Sequence, residues 1–322
     1  MKSDATIYVA GHNGLMGSAL VRRLHAAGYG NLVLRSHADL DLTNQCAVER
    51  FFSEARPQYV FVAAARVGGI VANNSWPADF ILDNLRIATN LIHEAYRTGV
   101  ERLLFLGSSC AYPKFAAQPI KEDSLLTGPL EITNRPYAVA KIAGIEMCWA
   151  YNRQHGTEFL SAMPTNLYGP NDNYDPQNSH VIAALIRKCH ESKTKGGPNI
   201  VVWGTGNPRR EFLYSDDAAD ACVFLMNLPA EQFAQLTRKS DGPPLVNIGW
   251  GEDLTIRELA KLVAEVVGSN QEFIFDQTKP DGTPRKLLDV TVLQSLGWSP
   301  ATALRDGLEM TYRDYCSQLR CS

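Results

Sequence analysis

Through the first half of the chain, short apolar runs alternate with longer stretches of helical period. Thr6–Ala10, Leu32–Leu34, Tyr59–Ala63, Leu103–Gly107 and Phe159–Met163 are apolar on successive positions, not on every second one. That pattern predicts strands covered on both faces, as in a buried parallel sheet. Between them, apolar positions spaced by three and four predict helices near Ser18–Ala27, Gln45–Glu54, Ile81–Thr98 and Tyr137–His155. Alternation of this kind implies an α/β fold with a doubly wound parallel sheet.

Beyond Pro164 the texture changes. Asn166–Pro176 mixes Gly169, Pro170 and Pro176 with Asn and Asp, which predicts a loop at a domain boundary. A helix over Val181–Glu191, a turn over Lys193–Pro198 and a strand over Ile200–Trp203 follow. Asp216–Leu228 reads as helical and Arg238–Pro244 as a polar loop. Ile256–Val267 is an amphipathic helix, and Thr255 with Glu258 has the spacing of a capping box. The expected division is a first domain over 1–170 and a smaller mixed α/β domain over 171–322. The two are interleaved, with segments near 199–250 returning to the first.

Composition narrows the function. The chain has 322 residues, 45% hydrophobic and 20% charged, enough to bury a core in each of two lobes. A net charge of −3 with no basic run speaks against nucleic-acid or anionic-membrane binding, which need concentrated Lys and Arg. No apolar stretch reaches the roughly 20 residues that span a bilayer, and the N-terminus passes into a strand without the layout of a signal peptide. Seven cysteines without metal-ligand spacing predict reduced thiols, no metal and a cytoplasmic setting.

Gly11-His12-Asn13-Gly14-Leu15-Met16-Gly17 lies between the first strand and the first helix. Glycines at this spacing permit a sharp turn, close backbone approach to a pyrophosphate and tight packing of helix on strand. Free N–H groups at the helix start face the phosphates. This turn makes the sheet Rossmann-type and predicts a bound dinucleotide. Arg35 and His37 follow the second strand, where cations suit the 2′-phosphate of NADP; Asp41 and Leu42 come next, near the expected adenine.

Tyr137 and Lys141 stand four residues apart on one helix and so share a face. A neighbouring lysine and a nicotinamide cation lower a phenol's pKa by charge, bringing it toward useful acid–base chemistry. Ser108, at the end of a strand, supplies a second hydrogen bond to a substrate carbonyl. Cys110 lies two residues further on, and His180 lies beyond the boundary, where the second domain can carry it across a cleft. Cysteine and histidine both titrate within reach of neutral pH, so the two are a reasonable acid–base pair.

The glycine turn and this trio resemble the extended short-chain dehydrogenase/reductase family of nucleotide-sugar enzymes. So do the stretches 64–70 (AARVGGI), 107–113 (GSSCAYP), 163–170 (MPTNLYGP), 178–181 (NSHV), 203–206 (WGTG) and 279–286 (KPDGTPRK). The resemblance points to members that epimerise and then reduce GDP-4-keto-6-deoxy-D-mannose with NADPH. It implies Cys110 as base and His180 as acid at C3 and C5, with Ser108 and Tyr137 on the C4 oxygen. It further implies cofactor contacts from Leu106, Gly107, Ser109, Lys141, Pro164, Thr165, Asn166, Leu167 and His180. Substrate contacts fall on Lys188, Trp203, Arg210 and Asp281. Lys188 stands where some relatives have arginine, and relatives carry arginines at the positions of Asn13 and His37. Arg187 and Arg209 read as surface charges. The resemblance also implies a homodimer. Dehydratases of the family carry Thr-Asp-Glu where this chain has Ser109-Cys110-Ala111, and a simple 4-epimerase needs no Cys110/His180 pair. A non-catalytic NADP-binding sensor on this fold would have no need of Tyr137 and Lys141.

Overall fold

The computed structural model describes residues 1–176, 178–196, 199–279 and 281–321. Five strands, β1 (Ile7–Ala10), β2 (Leu32–Val33), β3 (Tyr59–Val62), β4 (Arg102–Leu106) and β5 (Phe159–Pro164), form one parallel sheet with Leu245–Ile248. From one edge the order is Leu245–Ile248, β5, β4, β3, β1, β2. The chain therefore reverses direction across the sheet between β1 and β3, opening a crevice beyond their C-terminal ends. Strands β1 and β3 are buried at every position, which is why their sequences are continuously apolar.

Helices cover both faces. The helices α1 (Leu15–Ala26) and α2 (Gln45–Ala55) flank β2, and a short α3 (Ile70–Ser75) leads into α4 (Pro77–Arg97). Further on come α5 (Arg135–His155), α6 (Val181–Lys195) and α7 (Ser215–Met226). Leu20 and Leu24 of α1 join Ala218, Cys222 and Leu225 of α7 in one apolar cluster under the sheet. Val48 and Phe52 of α2, Leu91 and Ile92 of α4 and Ile145 of α5 fill the opposite face. A third cluster joins Ile182, Leu185 and Ile186 of α6 to Leu259 and Val263 of the helix Ile256–Val267. That last helix carries its capping box: the Thr255 side chain accepts the Glu258 N–H, and the Glu258 carboxylate accepts the Thr255 N–H. Among the described residues no helix is long and apolar enough to cross a membrane.

Four local expectations change. α4 begins at Pro77 rather than Ile81, because proline in the first turn sacrifices an N–H that needs no helical partner. The six-residue α3 has no period to betray it; the Asn73 amide ties it to the Gly68 and Gly69 carbonyls. The turn expected at Lys193 starts later, since α6 runs to Lys195 and ends on Gly196 at φ 62°. There the Lys193 ammonium donates to the Val267 carbonyl at 2.7 Å, joining this last turn to the end of the helix Ile256–Val267. Gly197 and Pro198 of that turn lie outside the described residues. Finally, Asn166–Tyr168 is a strand and not a loop, paired in parallel with Phe212–Tyr214. The pairing is long-range, and the Asn166 amide secures it by donating to the Glu211 carbonyl.

Candidate active site

The glycine turn sits at the reversal point of the sheet. Gly11 has φ +83°, and a Cβ there would fall 2.7 Å from the Ala64 backbone, just past the end of β3. A Cβ on Gly17 would fall 1.9 Å from the Gly11 carbonyl oxygen, so the helix can approach the turn only as glycine. Gly14 opens α1 with no side chain capping it, leaving the first-turn N–H groups of Leu15 and Met16 directed outward. The residues present thus fit a pyrophosphate cradle.

At the adenosine end, Arg35 is exposed, donates to the Leu34 carbonyl and lies over the Phe51 ring at 5.7 Å. His37 is also exposed. Asp39, which the sequence pattern did not mark, accepts from Ser36 and is drawn electrostatically to Arg35 and His12. Hydrogen bonds from Ser36 hold its carboxyl below the usual range. Asp41 is engaged with the Thr43 N–H and hydroxyl, and the Leu42 carbonyl accepts from Asn90.

A wide cleft beside α1 is lined by His12, Asn13, Ser18, Arg22, Asn171 and Asp172. Asp172 is buried; one carboxyl oxygen accepts the Asn173 N–H at 2.8 Å, and the other has no partner among the described residues. Burial pushes its pKa up to about 7. The unfolded value is near 4, so the cost of ionising it grows from pH 4 to 7 and persists above. Asp172→Asn is expected to stabilise the protein by roughly 2–4 kcal/mol at pH 8, with a gain several times smaller at pH 4.5. Calorimetry at the two pH values checks this; equal gains would refute it.

The reactive cluster forms where β4 meets α5. Gly144 is the reason the helix comes so close, since a Cβ there would fall 2.3 Å from the Phe105 ring. One helical turn earlier, Lys141 is 4% exposed and donates from Nζ to the Leu106 carbonyl at 2.6 Å. Its ammonium lies 5.9 Å from the Tyr137 ring centroid. Burial lowers Lys141 to about 8. Tyr137 moves the other way: burial raises its phenol well above the ordinary value, the nearby Cys110 sulfur adds to this, and a Ser108 hydrogen bond opposes it. Desolvation by the protein thus works against the lowering that a neighbouring lysine and a nicotinamide cation would give. Ser108 also caps the short turn Ser109–Ala111, its hydroxyl accepting the Cys110 N–H at 3.3 Å. The same turn fixes Cys110 beside Ser108.

Cys110 opens into a small pocket with Ser109, Pro113, Lys114, Glu131, Asn134 and Lys286. The Asn134 side-chain amide oxygen there is buried without a partner among the described residues. Neither Asn134 nor Lys286 was singled out from the sequence; only long-range packing brings them in. The Lys286 ammonium reaches the Cys110 sulfur at 3.5 Å, and Arg210 feels the same sulfur electrostatically.

His180 stands at the first turn of α6 as its N-cap, without a side-chain cap bond. The backbone of Asn178 and Ser179 packs against Gly69, which sets this wall against the loop after β3. The imidazole is open to water, yet the surrounding protein lowers its pKa by desolvation. Within the chain the Thr165 hydroxyl donates to the Glu211 carbonyl; Pro164 ends β5, and Leu167 belongs to the short strand beside it.

The remaining predicted contacts lie further out. Lys188 donates to the Val201 carbonyl at 2.8 Å. Trp203 is 53% exposed, with the Lys279 ammonium 5.6 Å from its ring centroid. Asp281 is engaged by the Thr205 N–H and hydroxyl at 2.7 and 2.8 Å, so it shapes the 204–206 turn. Pro280, beside it in the 279–286 stretch, lies outside the described residues. Arg209 pairs with Asp253, and its side chain is 41% exposed, in keeping with a surface charge. Arg187 is not the surface charge it resembled: its side chain is 14% exposed and pairs with Glu191 at 3.1 Å.

A glycine-turn crevice opening onto a Ser, Tyr and Lys cluster defines a dinucleotide-dependent enzyme. The chain belongs to the NAD dependent epimerase/dehydratase family, whose model matches residues 7–249. It is 60% identical to GDP-L-fucose synthase 1 of Arabidopsis thaliana, covering 97% of this chain and 93% of that protein. It is 52% identical to GDP-L-fucose synthase of Escherichia coli K12, covering 97% and 96%. A GDP-L-fucose synthetase from Naegleria fowleri bound to NADP superposes with a TM-score of 0.87 at 26% identity, covering 100% of this chain and 97% of that one.

Proposed function

We propose that this chain is an NADPH-dependent epimerase–reductase that converts GDP-4-keto-6-deoxy-D-mannose to GDP-L-fucose. The observation that carries the reading is the convergence of Ser108, Cys110 and Tyr137 at one point, above Lys141. One oxygen site there can serve both halves of the reaction, and full-length identity to enzymes of that name supports the assignment.

In the first half, the Cys110 thiolate removes a proton from the carbon beside the ketone, and His180 returns one to the opposite face. Once Cys110 has released its proton to water and His180 has regained one, repetition at the second neighbour inverts C3 and C5 in turn. Ser108 and Tyr137 donate to the C4 oxygen while it carries the enolate charge, a use of fixed donors where charge develops. Bound NADPH supplies the hydride for the second half. Tyr137 then gives its phenolic proton to the C4 oxygen, and Lys141, one turn along the same helix, would hold the cofactor's ribose. Gly11 to Gly17 would hold the pyrophosphate, with Arg35 and His37 at the 2′-phosphate. Lys188, Trp203 and Arg210 line the path of the GDP portion. The enzyme works in the cytoplasm as a homodimer.

The test is direct. Incubation with GDP-4-keto-6-deoxy-D-mannose and NADPH is expected to give GDP-L-fucose by NMR, with a higher kcat/KM for NADPH than for NADH. A 4-epimer or a dehydrated sugar as product would overturn the reading, and equal kcat/KM values would overturn the cofactor preference.

A further inference from the structure

Lys286 is a cation without a carboxylate. Among the described residues no Asp or Glu lies within ion-pair distance of it, and the hydrogen-bond partner of its ammonium is the Cys110 sulfur at 3.5 Å. Its neighbours behave differently: Arg285 and Arg209 both close on Asp253.

The backbone that carries Lys286 is clamped from two sides. Arg285 and Lys286 run parallel to Arg209 and Arg210 in a three-stranded sheet. The Glu211 N–H donates to the Lys286 carbonyl, and the buried Glu211 carboxylate accepts the Leu288 N–H at 3.0 Å and the Gly251 N–H at 2.7 Å. On the other side, the Leu287 N–H donates to Gln118, and the Leu287 carbonyl accepts the Ile120 N–H. Lys286 is thus delivered to the sulfur by fixed backbone rather than by a mobile loop.

We propose that Lys286 is a positioning residue for Cys110, its ammonium holding the sulfur as a thiolate aimed into the pocket before any sugar arrives. This rests on the reading of Cys110 as the base. The groups facing the sulfur are Lys286, Arg210 and the Tyr137 phenol, with Lys114 and Glu131 lining the same pocket. Lys114 and Glu131 approach each other at 4.0 Å, and Arg210 faces Asp281, so both sets are partly compensated. Lys286 is left as the nearest uncompensated charge. An opposite charge within about 4–6 Å favours the ionised form of a titrating group by one to three pH units.

The experiment uses the whole protein without sugar. Iodoacetamide labelling of Cys110 is followed by peptide mass spectrometry across neutral and alkaline pH, in wild type, Lys286→Met, Lys286→Gln and Lys286→Arg. The two neutral variants are expected to label about tenfold more slowly near neutral pH, with their profiles moved about one unit to the alkaline side. Lys286→Arg is expected to stay near wild type. Profiles that superimpose for wild type and a neutral variant that still binds NADPH would overturn the proposal. In that case a raised KM for the GDP-sugar would assign Lys286 to the substrate's diphosphate instead. Labelling requires no turnover, so a chain inactive on GDP-4-keto-6-deoxy-D-mannose would fail the functional reading while leaving this result intact.

Discussion

Tyr137→Phe is expected to lower the rate of ketone reduction about a thousandfold while leaving NADPH affinity within a few-fold of wild type. In the proposed mechanism the phenol both holds the C4 oxygen and gives it a proton. Its ring remains packed when the hydroxyl is removed, so the fold should survive. Burial raises the phenol's pKa, which keeps it protonated and able to donate across neutral pH. Lys141, lowered to about 8, is a cation below that value and loses its charge above it. Reduction by wild type is therefore expected to decline as pH rises past about 8, as the cation beside the tyrosine disappears. Single-turnover oxidation of NADPH, followed by absorbance, measures both effects. Near-wild-type reduction by Tyr137→Phe would show that another group supplies the proton. Exchange at C3 and C5 should suffer less, since the Ser108 hydroxyl can still donate to the enolate oxygen.

Much of this site was legible because its chemistry lies on local signals. The glycine turn follows a strand and opens a helix, and the Tyr137/Lys141 pair is fixed by helical period alone. Buried parallel strands betrayed themselves as unbroken apolar runs, so β1, β3, β4 and β5 fell within a residue or two of their observed limits. What escaped was whatever depends on contacts between distant segments. Asn166–Tyr168 becomes a strand only by meeting Phe212–Tyr214, and nothing within its own three residues says so. Lys286 reaches Cys110 across 176 positions, through a sheet whose strands are two residues long. Arg187 looked like solvent-facing charge because sequence gives its helix face but not what packs against that face. The desolvation of Tyr137 escaped for a related reason: pattern identifies the neighbouring cation, whereas burial is a property of the whole enclosure.

Cys110→Ser is expected to stop solvent deuterium entering C3 and C5, with a loss of about a thousandfold or more. A serine hydroxyl is close to the size of the thiol but far too weakly acidic to act as a base near neutral pH. The substitution spares the turn, because the Cys110 N–H and not its sulfur is what Ser108 caps. Tyr137 and Lys141 keep their places on α5, and NADPH binding is expected to be unchanged. The variant therefore separates the two halves of the reaction. Any slow hydride transfer that remains must strike a ketone whose neighbours have not been inverted, giving a 6-deoxy sugar with the starting configuration at C3 and C5. NMR of the product in deuterated solvent reads both outcomes together. Wild-type exchange in Cys110→Ser would remove the sulfur from the mechanism and leave the base among the other groups of the pocket, with Lys286 no longer facing a partner worth ionising.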